Sequence, residues 1–164
     1  MKRRVLAVCL LLSLVALAWA PPTAYANTSP HVKANGTIVF GANPPPLNVS
    51  MVGGYTVYTD NLSGALTGTI ESSQFVFIRT LIIHSNGEFD VTGEITGMAT
   101  TEGRSGGWTQ RITGTGLMST KALHGQWEIL GGTGGLAGLQ GKGTFSGIAG
   151  ETSDYSGMVW FEAN

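Results

Sequence analysis

The chain has almost no cysteine: one residue in 164, Cys9. A lone cysteine excludes a structural disulfide within the chain and leaves nothing from which to build a thiolate metal cage. Charge is scarce too, at 12% for Asp, Glu, Lys and Arg together. No basic stripe is present, which argues against nucleic acid as a partner. Beyond residue 26, no window of a dozen residues keeps apolar side chains at helical spacing without a glycine, so amphipathic helices are not expected there. The longest apolar stretch, Val5 to Ala18, falls short of the roughly 20 residues a membrane-spanning helix needs.

That stretch has another reading. Lys2, Arg3 and Arg4 precede it, Pro21-Pro22 follow it, and Ala24-Tyr25-Ala26 offers the small residues a signal peptidase reads. Residues 1–26 are expected to be an export signal cleaved before Asn27. The rest, residues 27–164, would be one secreted or periplasmic domain without the only cysteine. Removal of Lys2, Arg3 and Arg4 leaves six basic against ten acidic residues, a formal charge of −4.

What remains is rich in Gly, Thr, Ser and Val and alternates with period two. In "EFDVTGEITGMA", Glu88 to Ala99, the residues Phe89, Val91 and Ile95 share one face while charged and hydroxyl residues occupy the other. This is the pattern of a half-buried strand. Strands are expected at Val32–Phe40, Tyr55–Tyr58, Leu62–Ser72, Gln74–Ser85, Glu88–Ala99, Trp108–Met118, Leu123–Leu130, Gln140–Gly147 and Asp154–Glu162, with a loop over the proline-rich Asn43 to Asn48. Asn86-Gly87 is a strong hairpin signal. The fold class expected is all-β: a single closed antiparallel barrel of about eight strands with little or no helix. Glycine inside so many strands favours a barrel over a flat sandwich, because closure demands bends and close approach.

The segment "GGTGGLAGLQGKGTFSG", Gly131 to Gly147, tests that reading, because Gly132 to Ala137 fits a dinucleotide fingerprint. The fingerprint requires a helix straight after the turn. Here that helix would carry a glycine at nearly every turn, and no βαβ unit surrounds it. A phosphate loop fails too, since Leu136 and Gly143 occupy positions that need Gly and Ser or Thr. The glycines are read as structural: a turn at Gly131–Gly135, one helical turn at Leu136-Ala137, then a bent strand.

With "GRSGGWTQRITGTG", "HGQWEILGGTGGLAGLQGKGTF" and "YSGMVWFE", the region Asn61 to Glu162 resembles a bacterial family of unknown function. That family in turn is similar to the allene oxide cyclase and dirigent barrels. The resemblance implies an eight-stranded, often oligomeric barrel with an apolar central cavity. It carries over no catalytic residue.

Among candidate site residues, Arg79 stands out in "QFVFIRTLIIH", a strand apolar on both faces. One face is expected to line the barrel interior and the other to form a subunit interface in a homo-oligomer. Arg79 serves a ligand, pairs with Glu71 or Glu94 at the barrel rim, or points to solvent, since a charge among apolar neighbours needs a partner. Arg79, Glu71 and Glu94 are also the weak candidates for acid–base catalysis. Phe77, Arg79, Trp108, Trp127 and Tyr155 are candidates to line a ligand site. His84 and His124 lie too far apart in sequence for a known zinc pattern, so no metal is expected. No cofactor motif and no Gly-x-Ser-x-Gly elbow is present. Asn27, Asn35, Asn48 and Asn61 begin N-x-S/T sequons, which matter only in a host that glycosylates.

Three functions compete: a barrel that holds a small apolar molecule, a cofactor-free cyclase or isomerase acting inside it, and a packed structural or surface-interaction barrel. The first is preferred. An outer-membrane barrel is disfavoured, because strands such as "SGALTGTIESS" give no lipid-facing apolar band.

Overall fold

A computed structural model describes residues 29–41 and 45–162. The expected export signal and Asn27 lie outside the described residues. Nine strands follow in chain order: β1 (Val32–Phe40), β2 (Asn48–Val52), β3 (Tyr55–Gly68), β4 (Ser72–Ile83), β5 (Glu88–Thr101), β6 (Arg104–Leu117), β7 (Ala122–Gly132), β8 (Leu139–Ile148) and β9 (Thr152–Phe161). Strands β3 to β9 form an antiparallel meander, and β1 lies between β9 and β3, sealing an eight-stranded barrel. The short β2 pairs only with β3 and stands outside the closed ring. Helix among the described residues is confined to one 3-10 turn, Gly134–Leu136.

The expected eight-stranded closure is present, with three local differences. Tyr55 and Ser63 belong to one continuous strand, because polar Asp60 and Asn61 keep their register with Arg79 and Ile78 on β4. That strand ends at Gly68, which has a positive φ of 106°. A further strand, β2, begins at Asn48 and returns through a two-residue turn at Gly53-Gly54, where φ is 58° and 86°. Two successive positive φ values make the turn that matches strand twist in a tight hairpin.

Period-two alternation places one face of every barrel strand inside. Phe75, Phe77, Phe89, Ile95, Trp108, Ile112, Trp127, Ile129, Phe145, Tyr155 and Val159 are all buried there. The glycines explain how so many rings fit. A Cβ on Gly143 would lie 2.7 Å from Trp127 Cε2, and one on Gly157 would lie 2.6 Å from Cζ2 of the same ring. Gly125 stands in the same way to Phe145, at 2.8 Å, Gly93 to Phe77, at 2.8 Å, and Gly36 to Tyr155, at 2.7 Å. At these five glycines the bare backbone leaves room for an aromatic ring inside the barrel. The close approach of neighbouring strands expected from the sequence is present at each of these positions, where a backbone carbonyl of the adjacent strand lies nearer still than the ring, and the rings occupy the space that the missing side chains leave.

The two ends of the barrel differ. At one end Leu136, on the 3-10 turn, and Ile70, between β3 and β4, are 0% and 1% exposed and act as a plug. The opposite end is ringed by the β4–β5, β6–β7 and β8–β9 turns and extended by the β2–β3 hairpin. It is the mouth.

Candidate functional site

Direct opposition across an antiparallel pair puts two side chains on one face. Leu62 and Phe77 are an opposed interior pair, so Asp60 with Arg79 and Tyr58 with Leu81 continue the interior face towards the mouth. Arg79 donates from Nε to Asp60 Oδ1 at 2.7 Å and from Nη2 to Oδ2 at 2.9 Å. The two side chains are 11% and 9% exposed. This two-pronged geometry suits a guanidinium and a carboxylate held out of bulk water. The guanidinium makes no further hydrogen bond among the described residues, and its other N–H groups keep access to water.

Ile38, Phe40, Phe77, Leu81, Phe89 and Phe145 line a small void together with Arg79. Phe40 stacks edge-on against Phe75 at 5.9 Å and tilts over Phe77 at 6.0 Å. Phe40, Leu81 and Ile83 are only partly buried. The void beneath them measures about 10 Å³, room for roughly one water. That interior void is too small for an organic ligand. Hollows of 390 to 510 Å³ do occur on the outer wall. They are open troughs between rows of outward side chains, and none encloses a buried charge.

The candidate residues therefore separate. Arg79 and Phe77 meet at the mouth. Trp127 is deep in the barrel, and its Nε1–H is shared between the carbonyls of Thr144 (3.2 Å) and Ser156 (3.3 Å). Trp108 is buried nearer the plugged end, on the strand that faces the 3-10 turn. Tyr155 is buried beside the plug. Its hydroxyl accepts from Ile70 N–H at 3.0 Å and lies 3.3 Å from the carbonyls of Thr67 and Ile70. Burial pushes the Tyr155 pKa up and the nearby Glu71 charge adds to the rise, against a lowering by the Ile70 backbone.

Glu71 is exposed at that same end, in an isolated bridge to Thr100. Glu94 is on the outer wall with its carboxylate 3.6 Å from Arg111. It starts a cross-strand row of alternating sign, Glu94, Arg111, Glu128, Lys142, built by the register of β5 to β8. The partner of Arg79 is thus Asp60, in place of either glutamate. Sequence reasoning missed Asp60 because it was assigned to a gap between two strands. Its signal was available, since a lone carboxylate in a hairpin partner of the Arg79 strand is a natural counter-ion. His84 and His124 do not converge. His84 Nε2 is 2.7 Å from Asp90 Oδ2 at the rim, and His124 is on the outer wall. No cluster of metal ligands occurs among the described residues, and no helix among them is long and apolar enough to cross a membrane.

No family model matches the chain, and no curated protein matches it. Among solved structures it is similar to a protein of unknown function from the DUF3224 family of Shewanella oneidensis MR-1. The two are 21% identical, the match covers 82% of this chain and 100% of that one, and the TM-score is 0.61. At that identity the likeness shows the fold: an eight-stranded barrel shared with a bacterial protein of unknown function.

Proposed function

We propose that the protein is an exported barrel that binds a small apolar molecule at its mouth, with one neutral oxygen of that molecule accepting from Arg79. The observation that carries this reading is a nearly buried guanidinium with unpartnered N–H groups at the base of an apolar, half-open ring. Asp60 already neutralises the charge, so a second carboxylate would meet both the attraction of Arg79 and the repulsion of Asp60. A carbonyl or hydroxyl oxygen accepts from the guanidinium without the charge–charge repulsion from Asp60. Phe40, Leu81 and Ile83 supply the apolar surface such a molecule would cover. The resemblance to the allene oxide cyclase and dirigent barrels agrees with an apolar ligand, although the filled interior of this barrel moves the site outward.

The test is calorimetric titration with a matched set of nine-carbon probes: 2-nonanone, nonanoate and 1-nonanol. The ketone and alcohol are expected to bind more tightly than the carboxylate at pH 7. The Arg79→Met/Asp60→Leu double variant should lose that preference. Equal affinity for all three, or none for any, overturns the reading. Export is tested by sequencing the N-terminus of protein recovered outside the cytoplasm, which should begin at Asn27.

The filled interior favours a second reading, a packed barrel without ligand. It predicts no binding of any probe.

A further inference from the structure

The β2 strand is the one exposed edge in a barrel that otherwise has none among the described residues. The two-residue turn makes Val52 and Tyr55 a hydrogen-bonded pair, so Ser50 and Asn48 also direct their backbone groups at β3. Leu47 N–H bonds Thr59 O at 2.8 Å, next to the Asn48–Thr59 pair, as a bulge would place it. The N–H and C=O groups of Val49 and Met51 therefore point away from β3, with no strand among the described residues to receive them.

Secreted β proteins protect such edges with lysine, proline, a bulge that turns the edge away, or a cover. Here Leu47 to Thr59 contains no charged residue at all. Leu47, Val49, Met51 and Val52 are 66%, 52%, 79% and 61% exposed. The bulge lies at the start of the strand, and Val49 to Val52 keep an unbroken register with Tyr58 to Tyr55.

We infer that this edge pairs with the β2 edge of a second copy of the chain, antiparallel and centred on Ser50. A two-fold axis through Ser50 sets Val49 of each copy opposite Met51 of the other. These are the residues whose backbone groups are free, so each junction pair exchanges both of its hydrogen bonds. A two-fold contact requires the same patch to complement itself. This strand does so in hydrogen-bond register and in side-chain chemistry, since Val49 meets Met51 on one face and Asn48 meets Val52 on the other. Because the segment is uncharged, nothing repels an identical strand. An axis perpendicular to the sheet also keeps the same face up in both copies. Val49 and Met51 lie opposite Tyr58 and Thr56, on the interior-facing side. Pairing would bring four apolar side chains together along the rim of two adjacent mouths.

Sedimentation equilibrium over a concentration series, on the purified protein, tests this. The wild type is expected to be a dimer. Met51→Pro removes an outward N–H and no bond to β3, and should give a monomer. Val49→Lys/Met51→Lys sets like charges across both junction pairs and should also give a monomer. Val49→Lys/Met51→Glu sets opposite charges across them and should restore the dimer. Near-ultraviolet circular dichroism of the buried tryptophans reports that each variant is folded. A wild type that is monomeric throughout overturns the inference. So does a dimer that survives Met51→Pro, or a charge-reversed pair that does no better than the like-charged one.

Discussion

The two ends of this barrel are made of similar residues in opposite conditions. At the plugged end, Leu136 and Ile70 are fully enclosed and the Tyr155 hydroxyl is bonded to the chain around them. At the mouth, Phe40, Leu81 and Ile83 stay partly exposed above a charged pair that has been taken almost entirely out of water. Stability alone would favour the reverse at the mouth: apolar groups enclosed and charges exposed. The difference teaches that one end was built to hold the fold and the other leaves surface available.

Substitutions can sharpen or break that contrast. The largest effect is expected where rings sit on glycine. Gly157→Val drives a side chain into the Trp127 ring and the β8 backbone, and should lower stability by about 3 kcal/mol or more in urea unfolding, or prevent folding. Leu136→Ala at the plug should cost about 3 kcal/mol, in the usual range for an enclosed leucine. Leu81→Ala at the mouth should cost less, about 1–2 kcal/mol, since that side chain is only partly buried. Equal losses would erase the distinction between the ends. Asp60→Ala strands a guanidinium with little water and should cost about 3 kcal/mol, whereas Arg79→Met/Asp60→Leu should be close to neutral. If the double variant is as unstable as the single one, the pair holds the fold together and is not held ready for a ligand.

The smallest effect concerns pH. Because the Tyr155 pKa is raised in the fold, the contribution tied to its protonated form is complete below the ordinary tyrosine value near 10 and is lost as pH climbs towards the folded value. Tyr155→Phe should therefore flatten the decline of unfolding free energy above about pH 10. An unchanged slope would remove Tyr155 from that account.

Much of the fold is legible in the sequence, and the reason is alternation. Phe89, Val91 and Ile95 on one side and Glu88, Asp90 and Glu94 on the other admit one orientation of β5, and Asn86-Gly87 sets its pairing with β4. β2 was not legible. "NVSMV" follows three prolines and has polar residues at alternate positions but no buried face to declare itself, because it hangs outside the ring. The site was half legible. Arg79 announces itself as a charge in an apolar strand, but its partner Asp60 is fixed by cross-strand register, which one strand's pattern does not reveal. The filling of the interior was also hidden. It depends on which ring lies over which glycine, a matter of contacts between strands far apart in sequence.

The most direct test follows backbone amide chemical shifts during a titration with 2-nonanone. Shifts are predicted at Phe40, Arg79, Leu81 and Ile83, with Leu136, Ile70 and Tyr155 unmoved. Shifts centred on the plugged end, or none at saturating ketone, would contradict the claim that the mouth is the binding end.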